Sequence, residues 1–237
     1  MDCSVVIPVR NEAENIPLIT AKIQNVLSTS DFEIIFVDDG STDNSIEVLG
    51  VLAEKYNFVR YFRRKNENKI TVGKALRLGI EHAKGKHIII MDGDLSHDPK
   101  YIPYLLNCLE TFDVVVASRF IPGGGMLVPF TLKKKICYSV FTLLVRTLSG
   151  IRVADFSHGF KAFRREILNS LSVESEGFPA YTEISIKAHV LGYKVGEYPI
   201  LYGVRNKGVS KFKLSKSLFG YIQLLLWVIR KKWKSAA

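Results

Sequence analysis

Short apolar runs alternate with amphipathic segments through the first half of the chain. The segments between the runs carry apolar residues three or four positions apart, as Ile16, Ile19 and Ile23 do, which is the spacing of one helix face. Continuously apolar strands separated by helices are typical of a parallel sheet that is covered on both faces. We therefore predict an undivided α/β fold, with strands at 5–7, 34–37, 58–62, 87–91 and 114–117.

The second half of the chain predicts a smaller number of further elements. Apolar residues recur at helical spacing in three segments, and two short runs have the composition of strands. The helices are expected at 132–148, 182–191 and 213–233, and the strands at 159–163 and 195–201.

Polar, acidic or glycine-containing segments follow four of the apolar runs directly. In an open parallel sheet, ligands bind beyond the carboxyl ends of the strands. We therefore expect these segments to form one binding cleft; they are 8–12, 38–41, 92–94 and 118–120.

Asp92-Gly93-Asp94 carries the strongest local signal in the sequence. Two carboxylates at the end of a buried strand can share a hard cation, and Mg²⁺ commonly takes one or two protein carboxylates together with water and phosphate oxygens. The alternative is a pair of solvated turn aspartates. Asp98 has such a structural role, as the N-cap of a helix that begins at Pro99. The buried run before the pair favours the metal site.

Asp38 and Asp39 follow the second apolar run. Ser41 or Asp43 is expected to cap the next helix, which leaves the two aspartates without a structural task. A carboxylate at this position can accept hydrogen bonds from a ribose or a base N–H. No glycine-rich phosphate loop follows any strand, so phosphates would need a metal ion and nearby cations.

The formal net charge of the 237 residues is +10, and the surplus lies mainly near the C-terminus. No acidic residue follows Glu197, so an anionic partner is expected there, either nucleic acid or lipid headgroups. Nucleic acid is disfavoured because the basic residues do not alternate with aromatic side chains on which nucleobases could stack. Three scattered cysteines favour a reducing compartment, and the N-terminus does not resemble a signal peptide.

A series of motifs resembles those of glycosyltransferase family 2, and within it the dolichol-phosphate mannose synthases. The motifs lie at 4–12, 37–41, 91–99, 118–125, 155–164, 192–200 and 208–211. The resemblance implies a GT-A type nucleotide-sugar fold and inverting transfer of a hexose to dolichyl or another polyprenyl phosphate. Mannose from GDP-mannose is favoured, and a UDP-sugar-dependent glucosyl- or N-acetylhexosaminyltransferase is the alternative. A non-catalytic membrane adaptor is disfavoured because Asp92, Asp94 and Arg119 are all present.

The resemblance also implies roles for individual residues. The nucleotide would be held by Pro8, Val9, Arg10, Glu12, Val37, Asp38, Asp39, Asp92 and Gly93. Mg²⁺ or Mn²⁺ would be held by Asp92, Asp94 and Ser96, the last standing where the family often has Gln. The acceptor phosphate would meet Arg119, Lys134, Lys135 and Ser139. Catalysis would rest on Asp94, Arg119, Arg205 and Lys211. The scattered histidines, including His97 and His158 in motif positions, are interpreted as structural.

The C-terminal segment 213–237 is interpreted as a basic amphipathic helix that follows a catalytic domain at 1–212. Its most apolar tract, 218–229, is shorter than the roughly 20 residues that a membrane span needs. We therefore expect this helix to lie on the membrane surface, with the protein peripheral on the cytoplasmic face. The alternative is a helix packed on the catalytic core.

The helical spacing divides this segment into two sides. The polar side would carry Gly220 and Trp227, and the apolar side Leu218, Val228 and Ile229.

Overall fold

The computed structural model describes residues 1–64, 71–168, 170–204 and 214–236. The strands are β1 (Cys3–Val9), β2 (Phe32–Asp38), β3 (Val59–Arg63), β4 (His87–Ile90), β5 (Val114–Ser118), β6 (Gly125–Met126), β7 (Lys161–Arg164), β8 (Val195–Pro199) and β9 (Leu201–Tyr202). The helices are α1 (Asn15–Val26), α2 (Ser45–Lys55), α3 (Val72–His82), α4 (Ile102–Cys108), α5 (Leu132–Ser149), α6 (Arg165–Leu168), α7 (Pro179–Val190) and α8 (Leu214–Ala236).

Seven strands form the central sheet in the order β3-β2-β1-β4-β7-β5-β8, and β6 pairs with β9 in a small second sheet. Neighbouring strands of the central sheet are parallel, except that β7 runs antiparallel to both β4 and β5. The predicted mostly parallel sheet and its five strands are confirmed. The strands expected at 159–163 and 195–201 are present as β7 and β8, but the direction of β7 was not predicted.

Both faces of the sheet are buried, which explains why its strands lack an alternation of apolar and polar residues. In β1, Val5 packs into the cluster under α1, α2 and α4, whereas Val6 packs into the cluster under α3 and α7. Helix α1 contributes Ile16, Ile19 and Ile23 to the first cluster, which is the spacing that predicted it. The carboxyl ends of β1, β2, β4 and β5 therefore meet at one edge of a rigid sheet.

Helix α8 packs along one side against α5 and α7. Leu224 and Val228 are 4% and 0% exposed and join Val145 and Phe156 in a third apolar cluster. On this side the helix therefore packs on the catalytic core, which was the alternative to a helix lying on the membrane. Among the described residues no helix has the length and apolar character that crossing a membrane requires.

The predicted polar side of this helix is wrong at two positions. A Cβ on Gly220 would lie 2.9 Å from the ring of Pro179, so this residue faces the protein and lets α7 approach closely. Trp227 also packs on the third cluster. The apolar side divides as well, because Val228 is buried while its neighbour Ile229 is 37% exposed.

Candidate active site

The loop after β4 brings Asp92 and Asp94 to the edge of the sheet. Asp94 is 2% exposed, and its Oδ1 accepts hydrogen bonds from the backbone N–H and the hydroxyl of Ser96. Gly93 is closely packed, because a Cβ there would lie 2.9 Å from Val9 Cγ1 and this side chain would have to shift. Leu95 has a φ of +64°, a left-handed conformation that is costly for this residue type. The disfavoured alternative, a solvated turn aspartate, is therefore excluded for Asp94.

Asp92 is held by Tyr181 of α7 and by His97, which lies further along the same loop. Its Oδ1 accepts a hydrogen bond of 2.8 Å from the hydroxyl of Tyr181, and its backbone N–H donates to Nδ1 of His97 at 3.0 Å. Burial lowers the pKa of His97, which favours the neutral ring, and the ring stacks on Phe160 with centroids 5.2 Å apart. His97 thus has the structural role assigned to it, and that role is to hold the Asp92 loop. The side chain of Asp92 remains 33% exposed.

These oxygens suit a divalent cation that is shared with a phosphate. Within the described ranges, no group of three or more histidine, cysteine, aspartate or glutamate side chains could hold a metal on its own. Two carboxylates and the hydroxyl of Ser96 are hard oxygen donors, and Mg²⁺ commonly binds to one or two carboxylates while phosphate and water complete its shell. The donor set therefore fits Mg²⁺ or Mn²⁺ bound together with a diphosphate.

Asp38 and Asp39 have structural tasks, contrary to the sequence-based interpretation. Asp39 accepts hydrogen bonds from the backbone N–H of Thr71 at 2.7 Å, from its hydroxyl at 2.8 Å, and from Arg64. Asp38 is fully buried and accepts from the backbone N–H of Ser41 at 3.1 Å. Both carboxylates thus stabilise the loops that meet at the end of β2 by accepting hydrogen bonds from their residues. Their contact with a nucleoside stays a prediction.

The loop between β1 and α1 contains the other predicted nucleoside residues. Pro8 and Arg10 are partly exposed, whereas Glu12 is buried and its Oε2 accepts from Asn15 Nδ2 at 2.7 Å. Val9 and Val37 are buried in the core. Pro8 and Arg10 are thus the members of this set that a ligand can reach most directly.

Of the two residues expected to cap α2, Asp43 bonds to the start of the helix and Ser41 bonds to another loop. Asp43 Oδ1 accepts from the backbone N–H of Ser45 at 3.1 Å, at the start of the helix, while Ser41 Oγ accepts from the backbone N–H of Asn11 at 2.8 Å. The predicted Asp98 cap is confirmed, since its Oδ1 accepts from the backbone N–H of Lys100.

Arg119, after β5, forms a buried ion pair with Asp155. Its Nε and Nη2 donate to the two carboxylate oxygens at 2.7 and 2.8 Å, and its backbone N–H donates to Oδ2 at 3.0 Å. The Arg119 side chain is 10% exposed and that of Asp155 is fully buried. Burial opposes the charge of Arg119, but the hydrogen bonds and charge of Asp155 outweigh it and raise the pKa of the guanidinium. Aromatic rings surround the guanidinium at 5.0 to 5.6 Å; they belong to Phe120, Phe130 and Tyr202.

This geometry changes the role that Arg119 can have toward an acceptor phosphate. The bidentate edge of its fork is already occupied by Asp155. The pair is linked to α5 through Tyr138, whose hydroxyl donates to Asp155 Oδ1 at 3.2 Å. Lys135 and Ser139 are exposed on the same helix. The side chain of Lys134 lies outside the described residues, as do Arg205 and Lys211 in full.

Sequence reasoning assigned no role to several residues that build this site. Asp155 and Glu197 lie in the motifs that carried the resemblance, whereas Tyr181 lies outside all of them. Lys161 had a signal of its own, as a lysine next to the apolar residues of a predicted strand. Tyr202 follows the last predicted strand and contacts both His97 and Arg119.

The mostly parallel sheet, with paired carboxylates at the end of β4, agrees with the GT-A type fold that the resemblance implies. Residues 4–172 match the model of glycosyl transferase family 2, which is more than half of the chain. The chain belongs to this family.

Three relatives match over nearly the whole chain. It is 33% identical over 236 residues to a dolichol-phosphate mannosyltransferase of Pyrococcus furiosus, covering 99% of this chain but only 65% of that protein. It is 28% identical to an undecaprenyl-phosphate mannosyltransferase of Micrococcus luteus, covering 97% and 95% of the two chains. It is 30% identical to a dolichol-phosphate mannosyltransferase of Saccharomyces cerevisiae, covering 95% and 86%.

Solved structures confirm the fold. A glucosyl-3-phosphoglycerate synthase of Mycobacterium tuberculosis has a TM-score of 0.68 at 21% identity, covering 94% of this chain and 80% of that one. A structure of this synthase in complex with Mn²⁺, UDP and phosphoglyceric acid has a TM-score of 0.68 at 19% identity, covering 97% and 78%.

Proposed function

We propose that this protein transfers a hexose from a nucleotide diphosphate sugar to a polyprenyl phosphate. Mannose is the favoured sugar and GDP-mannose the favoured donor, because relatives 28–33% identical over nearly all of this chain are named mannosyltransferases of dolichol or undecaprenyl phosphate. A UDP-sugar-dependent glucosyl- or N-acetylhexosaminyltransferase is the alternative. The observation that carries the proposal is the proximity of the Asp92–Asp94 loop to the buried Arg119–Asp155 pair. The Tyr202 ring lies 5.4 Å from the guanidinium of Arg119 and 5.6 Å from the ring of His97, which bonds to Asp92.

The reaction would be a single inverting displacement at the anomeric carbon of the sugar. A phosphate monoester is already ionised at neutral pH, so the acceptor oxygen needs no strong general base. The protein must instead stabilise the charge on the departing nucleoside diphosphate. Asp92 and Asp94 would hold Mg²⁺ or Mn²⁺, which when bound supplies Lewis-acid charge to the diphosphate. Arg119 would supply positive charge on the acceptor side through the part of its guanidinium that Asp155 does not occupy.

A lipid acceptor is supported by the apolar residues that α5 and α8 expose. The two helices lie side by side, with the rings of Phe141 and Tyr221 centred 4.7 Å apart. The outward side chains are between 37% and 78% exposed. They form what we call the α5–α8 apolar surface: Leu132, Ile136, Val140, Leu143, Leu144, Leu218, Phe219, Ile222, Leu226, Ile229 and Trp233.

An apolar surface of this extent indicates a membrane or a protein partner. We favour a membrane surface, because three exposed basic residues lie on the same two helices: Lys135, Arg230 and Lys232. Each can contribute about 1 kcal/mol of binding free energy near anionic lipid. The protein would then be peripheral, on the cytoplasmic face where nucleotide sugars are expected. Nucleic acid is not the proposed partner, since the exposed side chains of this surface are largely aliphatic.

The test is transfer by the purified protein in the presence of anionic vesicles. Labelled GDP-mannose, UDP-glucose and UDP-N-acetylglucosamine are each offered with a polyprenyl phosphate or with phosphoglyceric acid, in Mg²⁺, Mn²⁺ or EDTA. We expect metal-dependent labelling of the lipid fraction, with GDP-mannose the best donor. Labelling of phosphoglyceric acid instead, or no labelled lipid from any donor, contradicts the proposal. Labelled lipid from a UDP-sugar alone supports the alternative donor.

A further inference from the structure

Lys161 is a fully buried lysine at the centre of the sheet. It is the first residue of β7 and pairs in register with Ile90 of β4 on one side and Val116 of β5 on the other. Strand β4 leads into the Asp92–Asp94 loop, and β5 leads to Arg119. The residue therefore lies between the two strands that carry the two halves of the candidate active site.

The Nζ of Lys161 donates to two backbone carbonyls that are far apart in sequence. It lies 2.8 Å from the carbonyl oxygen of Phe156 and 2.6 Å from that of Tyr181. No carboxylate of the described chain forms an ion pair with it. Burial lowers the pKa of Lys161 to about 7, with Asp155 raising it and Arg119 lowering it further.

Each carbonyl belongs to a segment that holds one half of the site. Phe156 directly follows Asp155, which binds Arg119, and this loop is also held by Glu197, whose oxygens accept from the backbone N–H groups of Ala154 at 2.7 Å and Asp155 at 3.0 Å. Tyr181 binds Asp92 through its hydroxyl. One ammonium group thus connects the backbone of the Arg119 support to the backbone of the Asp92 support.

We propose that Lys161 is a positioning residue, which fixes the Arg119–Asp155 pair relative to the Asp92–Asp94 loop by bonding the carbonyls of Phe156 and Tyr181. The proposal rests on the proposed function, in which these halves hold the acceptor and the donor. Burying an amine without a carboxylate partner is costly, and an aliphatic residue of similar length would fill the same volume at a lower cost. Two reacting groups must be aligned closely, and a misplacement of 1 Å can lower a rate by about 10²-fold.

Lys187→Met is a matched control for Lys161→Met. Lys187 is 3% exposed, and its Nζ also donates to a backbone carbonyl, that of Ser172 at 2.6 Å. It forms ion pairs with Glu183 of α7 and with Glu174 in the segment before that helix, and its bonds in the described part of the chain include no residue of either half of the site. Both variants remove a buried ammonium and a bond to a carbonyl. Lys187→Met also leaves the buried carboxylate of Glu183 without its ion-pair partner, so the control is the structurally more costly of the two.

The experiment combines steady-state kinetics with hydrogen exchange on the substrate-free protein. At a temperature where all proteins are folded, Lys161→Met should lower kcat about 10- to 100-fold, while the KM of donor and of acceptor each change less than about 3-fold. Hydrogen exchange should become faster in residues 154–158 and 180–184 together. Lys187→Met should leave kcat within about 2-fold and leave exchange in 154–158 unchanged.

An unchanged kcat in Lys161→Met, or an equal fall of kcat in Lys187→Met, overturns the proposal. If Lys161→Met does not fold, Lys161→Gln replaces it: its shorter amide can reach one carbonyl at most, so kcat should be intermediate, and full activity overturns the proposal. If the wild type transfers no sugar to polyprenyl phosphate, the proposed function fails by itself. Hydrogen exchange then decides about Lys161, and an effect on only one of the two segments overturns its linking role.

Discussion

Replacing Asp155 by Asn should destabilise the fold far more than an isosteric substitution usually does. The carboxylate accepts four hydrogen bonds: three from Arg119 and one from the hydroxyl of Tyr138. An amide keeps the oxygen that two of these donors need and points an NH₂ group at the other two. The Asp155→Asn variant therefore also leaves the charge of Arg119 buried and without its counterion.

The magnitude follows from the bonds that are lost. A hydrogen bond to a charged group is worth about 1.5–3 kcal/mol, and one to a neutral hydroxyl about 1 kcal/mol. Breaking a buried ion pair at one partner typically costs about 3–5 kcal/mol, so we expect a loss of unfolding free energy in that range. Glu166→Gln is the matched control, because Glu166 is 76% exposed and faces Arg164 at 3.9 Å. That variant should change stability by less than about 1 kcal/mol.

The assay is urea unfolding followed by tryptophan fluorescence, with the free energy extrapolated to water. The double variant Arg119→Met/Asp155→Leu should lose less than the sum of its single variants, because it leaves no buried charge unpaired. If Asp155→Asn costs no more than Glu166→Gln, the assignment of Arg119 and Asp155 as a desolvated pair is refuted.

Three further predictions concern pH, metal and membrane. Because burial lowers the pKa of Lys161 from 10.5 to about 7, the unfolded chain binds more protons at this residue than the folded chain does between these pH values. The unfolding free energy of the wild type relative to Lys161→Met should therefore rise with pH above 7, by up to about 1.4 kcal/mol per pH unit. A difference that stays constant with pH in urea titrations contradicts this prediction. Asp94→Asn should remove the Mn²⁺ dependence of nucleoside diphosphate binding measured by calorimetry, whereas equal binding in Mn²⁺ and EDTA by the wild type would exclude the metal role. Phe219→Glu with Trp233→Glu should reduce flotation with anionic liposomes several-fold while the melting temperature stays unchanged, and flotation equal to that of the wild type would argue against the membrane role.

The fold was largely predictable because a sheet buried on both faces leaves a strong local pattern. Each run such as 34–37 is apolar at every position, and a strand of this kind can be recognised without knowing its neighbours. The direction of β7 could not be predicted in this way. It depends on the side of the sheet from which the chain enters the gap between β4 and β5, and the short apolar segment at 159–163 is compatible with either direction.

The site was predictable only where its chemistry is local. Asp92 and Asp94 lie at a strand end, two residues apart, and the strand-end rule finds them. Their partners are distant in sequence: Tyr181 reaches Asp92 from 89 positions away. The same limitation explains the error at Asp39, whose partner Thr71 is 32 positions away and belongs to another loop.

Helix α8 was ambiguous for a different reason. Its apolar residues extend around more than half of its circumference, so the spacing alone allows several choices of the side that is buried. Leu224 and Val228 pack into the core, and Phe219 and Ile222 do not. Removal of the whole helix would expose the third cluster, which is why point substitutions on the exposed side are the appropriate test of membrane binding.

The antiparallel strand β7 has a consequence for the width of the cleft. Because it is inserted between β4 and β5, the strands that deliver the Asp92 loop and Arg119 are two steps apart, which is about 9–10 Å at the usual interstrand spacing. The separation of β4 and β5 across β7 is set by backbone hydrogen bonds between the strands, so it does not depend on any side chain. Loops on either side can be lengthened or exchanged to accept a different sugar or acceptor without altering the separation. A one-residue insertion within β7 would keep the separation and turn Lys161 to the opposite face of the sheet.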